Sequence, residues 1–117
     1  MRIQDVMSQK VVRAAPETTI AVARETLRND EIDHLVVMDG KRVVGVVSGR
    51  DLAQAGNDQP IAGVMARHVV TIAPEATLRR AAGMLRGRAI GCLPVVDDGQ
   101  LVGIVTASDL LTALAKG

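Results

Sequence analysis

No phenylalanine, tyrosine or tryptophan occurs among the 117 residues. Proteins that hold single-stranded nucleic acid stack bases on aromatic rings, so that class is disfavoured from the outset. Cysteine is nearly absent too: Cys92 stands alone, no intrachain disulfide can form, and a reducing compartment, the cytoplasm, is the expected location. Charge of one sign is lacking. With 14 Lys+Arg against 13 Asp+Glu the net charge is +1, too weak a field to draw nucleic acid or a membrane surface. No apolar run approaches the roughly 18 residues of a membrane span, and no apolar stretch of a secretory signal precedes Asp5. What remains is ordinary globular composition, 48% hydrophobic and 23% charged, enough to bury a core.

Self-similarity organises the chain. A shift of 58 positions lays Val6–Leu52 onto Val64–Leu110 without a gap, and roughly two positions in five agree. The identities include Val6/Val64, Met7/Met65, Pro16/Pro74, Glu17/Glu75, Leu35/Leu93, Gly45/Gly103, Asp51/Asp109 and Leu52/Leu110. The sequence is a tandem duplication, with repeats at 1–58 and 59–117.

Each half predicts the same order of elements, β-α-β-β-α. A β-branched run (Val11-Val12, then Val69-Val70-Thr71-Ile72) stops at Pro16 or Pro74, which lacks the N–H a ladder requires. Pro-Glu followed by Thr18-Thr19 or Ala76-Thr77 is a helix start, where threonine can cap, and apolar residues follow at helical spacing: Ile20, Ala23 and Leu27, then Leu78, Ala81, Ala82 and Leu85. Leu35–Met38 and Leu93–Val96 predict central strands, Asp39-Gly40 and Asp97-Asp98-Gly99 hairpin turns, and Val43–Val47 and Leu101–Val105 returning strands. A last helix opens at Ser48 or Thr106, carrying Leu52 in one half and Leu110, Leu111 and Leu114 in the other. The expectation is a mixed α/β (α+β) fold with two short three-stranded sheets, each covered by helices.

Gly45-Val-Val-Ser-Gly-Arg-Asp51-Leu, together with Cys92-Leu-Pro-Val-Val-Asp-Asp-Gly and Gly103-Ile-Val-Thr-Ala-Ser-Asp109-Leu, resembles the CBS (cystathionine β-synthase-type) domain. Asp5-Val-Met and Gly63-Val-Met match the short helical lead-in that often precedes such a repeat, and the likeness covers nearly the whole chain in the tandem arrangement called a Bateman module. The resemblance implies repeats paired through their sheets, a homodimer stacked through helices, and sensing of an adenosine-containing ligand: AMP, ADP, ATP or S-adenosylmethionine.

The chemistry-bearing motif is Gly-x-x-Ser/Thr-x-x-Asp, at Ser48/Asp51 and Thr106/Asp109. A carboxylate there can accept two hydrogen bonds from a ribose diol. The same spacing is also a capping box that merely starts a helix. The resemblance implies that each pair works with residues of the other repeat: Ser48 and Asp51 with Arg67, His68, Val69, Gly91 and Cys92, and Thr106 and Asp109 with Gln9, Lys10, Val11, Asp33 and His34. On that assignment the Asp51 site binds more tightly at neutral pH, since Asp33 repels phosphate at the Asp109 site until His34 protonates. Cys92, His34 and His68 lack the clustering of a metal site, and no nucleophile–base pair recommends an enzyme. Arg79, Arg80 and Arg86-x-Arg88 are expected on a solvated helix face.

Two functions stand against each other: a regulatory module that binds an adenosyl ligand and signals to a downstream protein, and a constitutive dimerisation module whose two Asp residues only cap helices. Apolar helix positions in excess of one small core (Ala21, Val22, Leu110, Leu111, Leu114) point to a homodimer under either reading.

Overall fold

The computed structural model describes residues 1–88 and 90–116; the side chain of Arg88, a residue of the expected basic face, lies outside this description. The chain forms two compact units. One comprises Met1–Val11 with Val70–Gly117, the other Val12–Val69.

In the 12–69 unit, β1 (Arg13–Ala14) pairs parallel to β2 (His34–Asp39), which pairs antiparallel to β3 (Arg42–Ser48). The β2–β3 loop puts Gly40 in the left-handed region, φ 62°, a conformation glycine adopts at no steric cost. Helix α2 (Ile20–Asp30) starts where the Thr19 side chain accepts from the Val22 N–H. Its positions 20, 23 and 27 share one face, so Ile20, Ala23 and Leu27 join Leu35, Val37, Val47, Leu52 and Ile61 in a core. The helix ends on Glu31, a left-handed residue (φ 54°) whose N–H reaches Leu27 and Arg28 carbonyls. After β3 comes α3 (Gly49–Leu52), only four residues long. The Arg24 guanidinium donates to the Leu52 carbonyl and to Asn57, which fastens the chain that leaves α3 to α2.

The other unit repeats this plan with α4 (Leu78–Arg88), β4 (Cys92–Asp97), β5 (Gln100–Thr106) and α5 (Ala107–Lys116). Its core gathers Ile3, Ile72, Ala81, Leu85, Leu93, Val95, Val105 and Leu110. The expected third strand over Val69–Ile72 is a correction. The sheet has two strands, and Ile72 alone bridges to Val95, its N–H donating to the Pro94 carbonyl. The cause is Pro94. Its counterpart Val36 donates its N–H to the Val12 carbonyl at 3.1 Å, and proline has no N–H to donate. The first strand of repeat one also begins later than expected, at Arg13 rather than Val11. Ala82, expected in the core, is exposed, and α5 buries Leu110 and Ala113 while Leu111 and Leu114 face solvent.

The lead-ins change partners. Ile3 is fully buried in the core of the second repeat, its N–H donating to the Ala76 carbonyl. Helix α1 (Ile3–Val6) and Met7 thus belong with residues 70–117, while Ile61, Val64 and Met65 pack against the first repeat's core. Ile3 and Ile61 extend the duplication beyond the stretch aligned above and are equally buried, so the shared offset was the available signal for both.

Candidate functional site

Strand β3 delivers Ser48 to the mouth of α3, and β5 delivers Thr106 to the mouth of α5. Both hydroxyl–carboxylate pairs close into the same figure. The Ser48 N–H donates to Asp51 Oδ2 at 2.9 Å, the Ser48 hydroxyl to the same oxygen at 3.1 Å, and the Asp51 N–H to Ser48 Oγ at 3.3 Å. Thr106 and Asp109 repeat the three contacts at 2.9, 3.1 and 3.3 Å. Each is a complete capping box. Capping uses only one carboxylate oxygen, however. Among the described residues Oδ1 of Asp51 and of Asp109 accepts no hydrogen bond, and neither oxygen is a buried atom lacking a partner. The half-buried carboxylates therefore keep acceptor capacity to offer outward.

The strand register adds one neighbour to each box. His34 lies across from Ser48, and Cys92 across from Thr106. Directly opposed antiparallel residues share a sheet face with Cβ atoms about 5 Å apart. The resemblance sets His34 with Thr106 and Asp109, but within its own unit His34 stands beside Ser48 and feels the charge of Asp51. Burial holds its imidazole below the ordinary 6.5, against the opposing pull of Asp33 and Asp51. Cys92, 5% exposed, has its thiol pushed up to about 12 by burial. That thiol stays protonated at neutral pH, which makes it a poor nucleophile. Two boxes with one geometry are thus flanked by an imidazole in one case and a small apolar wall in the other.

The Arg67 side chain folds back to donate to the Ala62 carbonyl at 2.7 Å, and His68 is exposed. Because Ala66 pairs antiparallel with Val46, the residues after it run away from Ser48 along β3. Gln9 and Lys10 are exposed and follow Ser8, which pairs with Ile104 in the same sense. Val11 and Val69 are half-buried, and Gly91 and Asp33 exposed. Among the described residues no group of three or more His, Cys, Asp and Glu could hold a metal ion, and no helix is long and apolar enough to cross a membrane.

Similarity to known proteins follows the duplication. The crystal structure of the CBS domain pair of protein MJ0100, in complex with 5′-methylthioadenosine and S-adenosyl-L-methionine, superposes with a TM-score of 0.92 at 28% identity, covering 99% of this chain and 97% of that one. The cytosolic domain of the Mg2+ channel MgtE in complex with ATP matches with a TM-score of 0.81 at 30% identity, over 92% of this chain and 46% of the other. Inosine-5′-monophosphate dehydrogenase of Thermoplasma acidophilum is 34% identical over 112 residues; the match takes in 95% of this chain but only 23% of that enzyme. The CBS domain model matches twice, at residues 3–58 and 61–116, and the chain belongs to the CBS domain family.

Proposed function

We propose that this CBS pair binds an adenosine-containing ligand, AMP, ADP, ATP or S-adenosylmethionine, and that binding shifts its conformation in a way a partner protein reads. The observation that carries this reading is the half-engaged carboxylate. Asp51 and Asp109 each commit Oδ2 to the cap and leave Oδ1 for a vicinal diol. The adenosyl ligands of MJ0100 and the ATP of MgtE support the ligand class. Without an aromatic residue the adenine must lie against aliphatic side chains. Signalling requires different affinities for two conformations, since a ligand that binds both equally shifts nothing.

The test is a melting series with these four ligands. At about a hundred times its dissociation constant a ligand stabilises the fold by roughly 2.7 kcal/mol. Asp51→Asn and Asp109→Asn keep an acceptor for the cap but lose the charge, and each should weaken binding at its box by about 1.5–3 kcal/mol. No shift with any ligand would favour the second reading, a constitutive dimerisation module. That reading has its own observation: both boxes are complete as caps, while Val22, Leu111 and Leu114 are exposed.

A further inference from the structure

Gly45 and Gly103 are buried strand residues with no room for a side chain. A Cβ on Gly45 would fall 2.5 Å from the Met65 sulfur, 2.9 Å from its Cγ and 3.0 Å from the Ala66 carbonyl oxygen. A Cβ on Gly103 would meet the Met7 sulfur at 2.5 Å, its Cγ at 3.0 Å and the Ser8 carbonyl oxygen at 3.0 Å. In both halves a thioether thus fills the place of a missing side chain, and the next residue joins the strand by two backbone hydrogen bonds. Ala66 and Val46 exchange theirs at 2.9 and 3.1 Å, Ser8 and Ile104 at 2.9 and 3.0 Å. Each bridge is a single ladder step, not a strand. Such a contact opens locally at far lower cost than the core. Both methionines are half-buried, so opening exposes their sulfurs further.

We propose that Met7 and Met65 are redox-sensitive latches, whose oxidation by a peroxide undocks the lead-in segments from β5 and β3. A sulfur lone pair attacks the peroxide O–O bond; an S–O bond forms, O–O breaks, and hydrogen peroxide leaves as water, so that thioether becomes sulfoxide. The sulfoxide is polar. Over Gly45 or Gly103 its oxygen would enter an apolar core, and that penalty shifts the bridge toward its open form. The consequence for ligand response rests on the proposed function: Gln9-Lys10 and Arg67-His68, which directly follow the two bridges, would lose their positions. The latch itself does not depend on any ligand.

The experiment treats the full chain with graded hydrogen peroxide, locates sulfoxide by peptide mass spectrometry, and follows amide exchange at Ser8, Ile104, Val46 and Ala66. Met1, 66% exposed, oxidises first and leaves these amides unchanged. Oxidation of Met7 and Met65 speeds their exchange about tenfold or more, and methionine sulfoxide reductase with a thiol reductant restores it. The Met7→Leu/Met65→Leu variant keeps an apolar plug and shows protected amides that peroxide does not alter. Sulfoxide at both positions with unchanged exchange would overturn the proposal, as would equal loss of protection in the leucine variant or resistance of both sulfurs after Met1 is fully converted. Nucleotide melting shifts measured alongside separate the two claims: their absence in untreated protein counts against the ligand reading and leaves the exchange result standing.

Discussion

His34 stands directly across from Ser48 on neighbouring antiparallel strands, beside the carboxylate box that opens α3. Burial holds its folded pKa below 6.5, whereas the unfolded chain takes up the proton at about 6.5. Between those two values the unfolded state carries more protons, so stability falls as pH drops. The contribution is fully present above 6.5 and is lost as pH falls through the lowered folded value. Urea midpoints measured from pH 7.5 to 5.5 should decline in the parent and flatten in His34→Gln. Because Asp51 pulls the pKa upward, Asp51→Asn should widen the window. Identical slopes in parent and His34→Gln would remove the claim.

Glu31 holds the left-handed position that ends α2, at φ 54° and ψ 48°. A residue with a Cβ costs roughly 1–2 kcal/mol there, and glycine does not. Glycine also loses more conformational freedom on folding, which offsets part of the gain. Glu31→Gly should therefore raise stability by about 0.5–1 kcal/mol, read as a higher denaturant midpoint with unchanged slope. A lower midpoint would mean that the Glu31 side chain contributes more than its backbone strain costs.

Gly45 and Gly83 make opposite predictions from one substitution. At Gly45 an added methyl meets the Met65 side chain, which is flexible, and the Ala66 carbonyl, which Val46 already engages. Overpacking of this kind costs about 1–3 kcal/mol, and Gly103→Ala should match it. Gly83 sits inside α4 with nothing within 4 Å, so Gly83→Ala should stabilise by about 0.5–1 kcal/mol. A neutral Gly45→Ala would show that Met65 can leave its seat at little cost.

These positions mark what the sequence could say. The duplication located both boxes, both hairpin turns and the helices α2 and α4, because period and turn chemistry are local properties. It also aligned Gly45 with Gly103 and Met7 with Met65, but not the contact between them, since each methionine arrives from a segment 20 residues downstream or 96 upstream of its glycine. Pro94 was visible as a departure from Val36. Its effect was not, since the lost hydrogen bond belongs to a neighbouring chain segment. The pairing of His34 with Ser48 depends on a register shift between Val37 and Met38; counted outward from the hairpin turn alone, His34 would have fallen opposite Val47. The exchange of lead-ins is tertiary and has no local signal.

The exposed apolar residues of the two units make the last prediction. On α5, Ala107, Leu111 and Leu114 fall at i, i+4 and i+7, one stripe of a helix whose neighbouring face, about 100° round, carries the buried Leu110 and Ala113. Leu111 is 67% exposed and Leu114 69%; on α2 Val22 is 54% exposed beside exposed Ala21. Covering a leucine is worth about 1.5–3 kcal/mol, so two per chain supply a substantial part of an association energy. Sedimentation at tens of micromolar should show a homodimer. Leu111→Lys/Leu114→Lys should weaken association by at least a hundredfold, roughly 3 kcal/mol, while exposed substitutions of this kind change fold stability by no more than about 0.5 kcal/mol. Val22→Lys tests the second patch separately. A monomeric parent protein would leave these side chains without an isologous partner and remove the claim; a dimer that survives both variants would move its interface elsewhere on the surface.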